Sequence, residues 1–457
     1  MANRIGIVGM GYVGLTLAAG LARNGFEVHG VDSEPRVREE LSAGRVHLYE
    51  PGLAEALRDT LGRNLFVHPT LPPDLDAAVI CVSTPVRDGT SMPVRHGTST
   101  PVRDRTSTPV RDRTRQPDLT NVAAAATEIA RRCGPQTLVV VRSTVPVGTS
   151  RRVVLPALTA AWGRARLVMA PERTIQGQAL RELTELPQVV GGLDDDSRRA
   201  GVALFGRLAR QVVPVSSLET AELVKLANNC HTDLIYAYGN EVALLAGAHG
   251  VDPLEVVRAA NHDYPRPDLA RPGFVGGSCL SKDPYLFGAS APGHTSLLVA
   301  AARQRNEQLP VQVAETVVGR LRQLRGATAG ATLAVLGWAY KGWPPTDDMR
   351  GAAIMTMLPT YDRAGLRVLG HDPLVADEVI RAHGGEPVSL DKAFSEADAV
   401  LVLNDHPDYR GLPVGTLLPG TAVRFVYDSW RILDEDAVRA AGVHYESLGY
   451  RPTREPV

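Results

Sequence analysis

Six residues near the start of the chain, GMGYVG (9–14), restrict what it can fold into. They follow RIGIV (4–8), which reads as a short buried strand, and lead into LTLAAGLARNG, which reads as an apolar helix. A second strand, EVHGVD, ends at Asp32. Strand, GxGxxG, helix, strand and acid in that order form the fingerprint of a dinucleotide-binding unit. Gly9 allows the tight turn, Gly11 lets the backbone approach a pyrophosphate at the helix N-terminus, and Gly14 lets helix and strand pack closely. Tyr12 and Val13 complete the motif. Asp32 stands 18 residues after Gly14, where a carboxylate accepts from ribose hydroxyls. An acid there favours NAD over NADP, whose 2′-phosphate it would repel; Arg36 nearby tempers the preference.

The motif accounts for only the first part of 457 residues, a length that suggests two or three domains. With 44% hydrophobic and 22% charged residues the chain can bury a large core. A net charge of −1 gives no bias toward nucleic acid or membranes. Cys81, Cys133, Cys230 and Cys279 are far apart, which argues against a zinc site or a disulfide framework and suits a reducing cytoplasm. We therefore expect no metal. MANRIGIVGMG lacks the apolar core expected of a signal peptide, and no apolar run is long enough to span a bilayer.

Further strands follow. AAVICVSTP (77–85) and LVVVRSTVPVGTS (138–150) each end in polar residues, placing Thr84 and Thr144 just past strand ends, where open α/β sheets bind ligands. Capping of helices by these hydroxyls is the alternative. ARLVMAPERT (165–174) brings Glu172 to the same edge. Between them, residues 84–115 are four near-copies of one octapeptide, TPVRDGTS to TPVRDRTR, with one Val per copy. Such a tract cannot bury enough apolar surface to order itself. It reads as a tandem expansion in a surface loop, with a basic docking arm as the alternative.

After LPQVVGG (186–192), residues 219–250 carry apolar side chains at helical spacing up to Gly250. Lys225 and Asn229 are four apart on one face of that helix. If the face is buried they need partners; if not, they are a solvated stripe. The chain then runs through NHDYPRPDLARPG, where Arg266 and Arg271 are candidates for contact with an anionic substrate, into GFVGGSCLSKDP (273–284). Gly276 and Gly277 permit crowded backbone, and Cys279 sits beside Lys282 and Asp283. A thiol next to a cation can serve as a nucleophile, whereas a buried cysteine in a turn is inert. From ATLAVLGWAYKG (331–342) a second strand–turn–helix unit begins, continued by RVLGHDP and DAVLVLNDH. Its first turn lacks GxGxxG, so we expect no second dinucleotide there.

These motifs, together with YEPGL (49–53), STP (83–85), STVPVGT (143–149), PE (171–172), AELVKLANN (221–229) and TDDMR (346–350), resemble the UDP-glucose/GDP-mannose dehydrogenase family along nearly the whole chain. The resemblance implies two Rossmann-like doubly wound α/β domains joined by a central long-helix segment. The expected divisions are an NAD-binding domain (1–205), a dimerising catalytic segment (206–312) and a UDP-sugar-binding domain (313–457). It also implies oxidation of a nucleotide sugar's C6 alcohol to a carboxylate with two NAD, in the cytoplasm, by a homodimer or higher oligomer. Residue by residue, it implies Cys279 as the nucleophile that captures the C6 aldehyde. Lys225 and Asn229 would stabilise the oxyanion, and Asp283 with Glu172 would handle water, supported by Thr144. Lys282 and Arg350 would contact the cofactor together with the glycine-motif residues and Thr84. Arg271, Phe274, Gly276 and Lys341 would contact the sugar nucleotide. PER (171–173), LANNCHTD (226–233) and Asp405–His406 resemble members that oxidise UDP-N-acetylhexosamines; UDP-glucose is the other substrate choice. His231–Thr232, Ser281 and a longer GWPPTDD loop (342–348) depart from the family pattern. A two-electron hydroxy-acid dehydrogenase and a catalytically silent nucleotide binder are the competing readings.

Overall fold

The structure is a computed structural model that describes residues 3–88, 115–265, 268–291 and 296–451. Its first sheet contains eight strands: β1 (Arg4–Val8), β2 (Glu27–Val31), β3 (Leu65–His68), β4 (Ala77–Ile80), β7 (Leu138–Val141), β8 (Arg166–Met169), β9 (Gln188–Gly192) and β10 (Val212–Val215), in the order 10-9-8-7-4-1-2-3. All neighbours pair in parallel except β8 with β9. β4 (AAVI) and β7 (LVVV) are buried at every position, as expected of parallel strands covered by helices on both faces. Apolar clusters on the two sides of the sheet form that covering.

The second sheet is wholly parallel. It comprises β11 (Thr332–Leu336), β12 (Arg367–His371), β13 (Glu386–Pro387), β14 (Ala399–Val402), β15 (Phe425–Asp428) and β16 (His444–Glu446), ordered 13-12-11-14-15-16. In both sheets the strand order reverses beside the first strand, which opens a crevice at the carboxyl ends. This is the expected architecture of two doubly wound units. The strands are shorter than the sequence suggests: 77–85 and 138–150 leave their sheet after Ile80 and Val141, and their polar ends form loops.

A helix of 31 residues, Leu218–Ala248, joins the units. The Ser217 hydroxyl accepts the Thr220 N–H (3.1 Å) and caps its start. It packs against a second long helix, Leu297–Arg325. Two elements cross the divisions expected from sequence: β10 extends the first sheet beyond residue 205, and Leu297–Arg325 runs through residue 312. Residues 89–114 of the octapeptide tract, and Arg266, lie outside the described residues. The first and last parts of the tract, in β5 (Val86–Asp88) and β6 (Arg115–Pro117), pair as an antiparallel ribbon. Among the described residues no helix is long and apolar enough to cross a membrane.

Candidate active site

The glycine turn has the shape the motif requires. Gly9 has a φ of +94°, and a Cβ there would lie 2.7 Å from the Cys81 carbonyl oxygen. A Cβ on Gly14 would lie 1.8 Å from the Gly9 oxygen, so only glycine fits. A Cβ on Gly11 would meet nothing within 4 Å: the approach to the N-terminus of the helix Tyr12–Arg23 is open, as a pyrophosphate needs. The Asp32 carboxylate is fixed at the end of β2 by the N–H groups of Met10 (2.7 Å) and Glu34 (2.9 Å). These residues fit a dinucleotide. Arg36 is not drawn in; it pairs with Glu40 (2.9 Å) on an exposed helix face.

Next to this turn the ends of β4 and β7 are laced together. The buried Thr84 hydroxyl donates to the Thr144 carbonyl (2.6 Å), and Ser143 donates to the Val82 carbonyl (2.6 Å). The Thr84 side chain therefore sets the backbone course of Thr144. After β8 comes Glu172, which is buried. Its Oε2 accepts from Arg142 Nε (3.1 Å) and Nη2 (2.6 Å), and its Oε1 from the N–H groups of Arg173 (2.7 Å) and Thr174 (2.8 Å). Burial alone would push this carboxyl up, but the Arg142 guanidinium and the Thr174 N–H outweigh it, and the carboxyl is held below its usual range. Arg142 is fully buried, donates also to Gln188 Oε1 (2.9 Å) and lies over the Phe205 ring.

The long helix supplies the next groups. Lys225 is buried, so the solvated-stripe alternative falls, and it lies within electrostatic reach of Glu172. One turn earlier, the buried Glu222 accepts the N–H groups of Gly148 (2.5 Å) and Ser150 (2.8 Å). One turn later, Asn229 donates to Asp283 Oδ2, while Lys282 Nζ donates to Asp283 Oδ1 (2.6 Å). Asp283 is wholly buried between an amide and an ammonium. Cys279 is the one exposed thiol among the four cysteines, all of them free. It stands in a short helical turn, Gly277–Leu280, three residues before Lys282.

The second unit completes the cleft. A Cβ on Gly276 would lie 2.3 Å from the Gly351 oxygen and one on Gly277 2.7 Å from the Tyr340 ring, so the cysteine loop lies flat against this unit. Tyr340 and Arg350 lie within electrostatic reach of the Cys279 sulfur, and Arg350 pairs with Asp348 (2.7 Å). Lys341 is half-buried and donates to the Gln176 carbonyl (2.7 Å). Burial lowers its ammonium to about 8, against the pull of Glu50 and other carboxylates. Gln176 Nε2 in turn donates to Asp348 (2.8 Å). Tyr12 donates to Glu50, which accepts the N–H groups of Gly177 (2.7 Å) and Ala179 (2.7 Å), so the glycine motif is tied to the same interdomain loop. Phe274 packs on the second core, and Arg271 donates to the Trp430 carbonyl.

The structure thus joins Asn229, Lys282 and Asp283 by hydrogen bonds and sets Lys225 within electrostatic reach of Glu172, and Cys279 within electrostatic reach of Arg350. Sequence alone does not mark Arg142, Glu222, Glu50 or Gln176. Their signal is a partner far along the chain, although Glu50 stands inside the YEPGL motif.

The chain matches the UDP-glucose/GDP-mannose dehydrogenase family in its NAD binding domain (residues 3–101 and 105–209), central domain (219–308) and UDP binding domain (334–435). It is 29% identical over 426 residues to the NDP-N-acetyl-D-galactosaminuronic acid dehydrogenase of Ralstonia nicotianae, covering 90% of this chain and 93% of the relative. The solved UDP-D-ManNAc dehydrogenase of Pyrococcus horikoshii is 28% identical with a TM-score of 0.83, covering 98% of this chain and 99% of that one. A UDP-glucose dehydrogenase from Pyrobaculum islandicum is also 28% identical, with a TM-score of 0.78 and 98% of both chains covered. Nucleotide-binding turn, central helix and second doubly wound unit therefore place this chain in the UDP-glucose/GDP-mannose dehydrogenase family, as an NAD-dependent nucleotide-sugar oxidoreductase.

Proposed function

We propose that the chain oxidises the C6 alcohol of a UDP-N-acetylhexosamine to the carboxylate, with Cys279 as covalent nucleophile. The observation that carries this reading is an exposed thiol four residues before Asp283, whose carboxylate accepts from Lys282 and from Asn229 of the long helix. NAD, when bound by the Gly9–Gly14 turn and Asp32, supplies the hydride acceptor. The C6 alcohol first loses a hydride and its hydroxyl proton to become the aldehyde; the Cys279 sulfur then adds to C6, forming a C–S bond, and the carbonyl oxygen takes up the thiol's proton. Lys225 and Asn229 hold that oxygen as it gains charge. Loss of a hydride from C6 and of the hydroxyl proton leaves a thioester. Water then adds at C6, the C–S bond breaks, and the thiolate leaves as the carboxylate forms. Asp283 receives the water's proton. Glu172, its oxygens held by Arg142 and two N–H groups, serves as a fixed negative charge that orients the sugar and Lys225. Thr144 supports the water, Lys282 and Arg350 contact the cofactor, and Lys341 takes the diphosphate.

The curated N-acetylhexosamine relatives support the choice of sugar. We place the enzyme in the cytoplasm, where its four free thiols stay reduced. We also assign it a homodimer through the long helix, which exposes Leu223, Tyr238 and Leu245.

The test is NADH formed per sugar consumed, at limiting UDP-N-acetylmannosamine, UDP-N-acetylgalactosamine, UDP-N-acetylglucosamine and UDP-glucose. Two NADH per molecule of an N-acetylhexosamine is the expected result, and Cys279→Ala should abolish acid product. Two NADH from UDP-glucose alone would move the assignment to that sugar. A Cys279→Ala variant that still makes acid would end the thioester route.

A further inference from the structure

Two polar atoms bracket the cysteine loop, the Gly273 N–H before it and the Leu280 carbonyl after it, and one buried network holds both. The Gly273 N–H donates to Asn240 Oδ1 (2.9 Å), and Asn240 Nδ2 donates to Asn306 Oδ1 (3.0 Å). Asn306 Nδ2 donates to the Asp233 carbonyl and carboxylate (2.9 Å each). Arg303 Nη1 donates both to Asp233 Oδ1 (2.8 Å) and to the Leu280 carbonyl (2.8 Å). Asp233, Asn240, Arg303 and Asn306 are each at most 4% exposed. Asp233 and Asn240 come from one long helix, Arg303 and Asn306 from the other.

The direction of every bond follows from its neighbour. The Asp233 carboxylate, paired with Arg303, accepts. Asn306 therefore turns its amide nitrogen to Asp233 and its oxygen to Asn240, which leaves the Asn240 oxygen for the Gly273 N–H. Four buried polar side chains are an expensive way to join two helices, because apolar residues of similar volume would do so at no cost in desolvation. What such a network does provide is one geometry. The loop needs it: Gly276 and Gly277 give its middle unusual freedom, and both grips are on backbone atoms.

We infer that Arg303, Asn240 and Asn306 are positioning residues that clamp the 273–280 loop, keeping Cys279 within reach of C6 between the two oxidations. The inference rests on the thioester reading. The first oxidation needs no bond to sulfur, whereas capture of the aldehyde does. A loosened clamp therefore lets aldehyde escape after one NADH.

The experiment uses Asn240→Ala and Arg303→Lys, one variant at each end of the loop, the second keeping a cation beside Asp233. NADH per sugar consumed is measured with hydroxylamine present to trap aldehyde. The value should fall from two toward one, with at least a tenfold rise in trapped oxime. This ratio does not depend on how much of the sample is folded; a purely structural role would lower both oxidations equally and leave it at two. Amide hydrogen exchange on the protein without ligands gives a second readout. Exchange in 273–281 should rise at least tenfold while the core strands of both sheets stay protected. A ratio of two in both variants, or an exchange rise spread over the whole chain, overturns the clamp. Cys279→Ser is the control: if it also yields two NADH per sugar, the thioester reading fails, and the clamp with it.

Discussion

Lys341 is a candidate-site side chain whose charge responds to pH within an assayable range. It stands in the interdomain cleft with its ammonium lowered to about 8 by burial. Below that pH it is a cation able to meet a diphosphate; above it, a neutral amine. Binding of UDP-sugar to the free enzyme is therefore lost as pH rises, not as it falls. We expect kcat/KM for the sugar nucleotide to decline above about pH 8, whereas kcat, which reports the bound complex, declines at higher pH because the diphosphate stabilises the ammonium. Lys341→Arg keeps a cation at every accessible pH and should remove the limb from the kcat/KM profile. A limb that persists unchanged in that variant would take Lys341 out of diphosphate binding.

At the scale of elements, the long helix is a shared backbone for three sites in successive turns. Glu222 holds the turn after β7, Lys225 lies within electrostatic reach of Glu172, and Asn229 holds Asp283. Glu222→Ala leaves the N–H groups of Gly148 and Ser150 buried without an acceptor, at a cost of about 1–3 kcal/mol each. We expect a lower melting temperature and a kcat reduced severalfold, since Thr144 precedes that turn; an unchanged melting curve would show that water replaces the carboxylate. The same helix illustrates what can be read from a sequence. GMGYVG, its strand and its helix were legible because the cause is local: Gly14 must be glycine because Gly9 lies five residues away. Cys279, Lys282 and Asp283 were legible because they are neighbours in one loop. Glu222, Arg142 and Arg303 were not. Each has the composition of a solvated helix or loop charge, and what buries it is a partner 30 to 74 residues distant. Strand ends differ from the sequence reading for a related reason: the apolar run continues past Ile80, but the ladder to β1 ends with the Cys81 N–H on the Val8 carbonyl (2.8 Å).

At the scale of the whole molecule, the cysteine loop lies against the second doubly wound unit, and the octapeptide tract leaves beside the helix that follows it. The tract's ends are in register, because β5 and β6 pair Val86 with Pro117 and Asp88 with Arg115. The ribbon is anchored at the last residue of the repeats: Arg115 donates to Glu307 (3.0 Å) and lies over the Tyr285 ring, and Tyr285 also donates to Glu307 (2.7 Å). Tyr285 belongs to the helix Asp283–Ala289, which begins at the site itself, so the anchor is what the active site requires of this region. Replacing residues 89–114 by Asn-Gly supplies a two-residue turn suited to an antiparallel pair and leaves every anchoring group in place. The shortened protein should keep kcat and KM within about twofold, two NADH per sugar, and the same mass by light scattering, because repeats with one valine per copy have no apolar surface with which to support a core. Arg115→Ala in the full-length chain should do more damage than the deletion, since it releases the ribbon from Glu307 and Tyr285 next to Asp283. The opposite ranking, with the deletion impairing turnover or assembly and Arg115→Ala harmless, would mean that the repeats themselves contact the catalytic unit or a second copy of the chain.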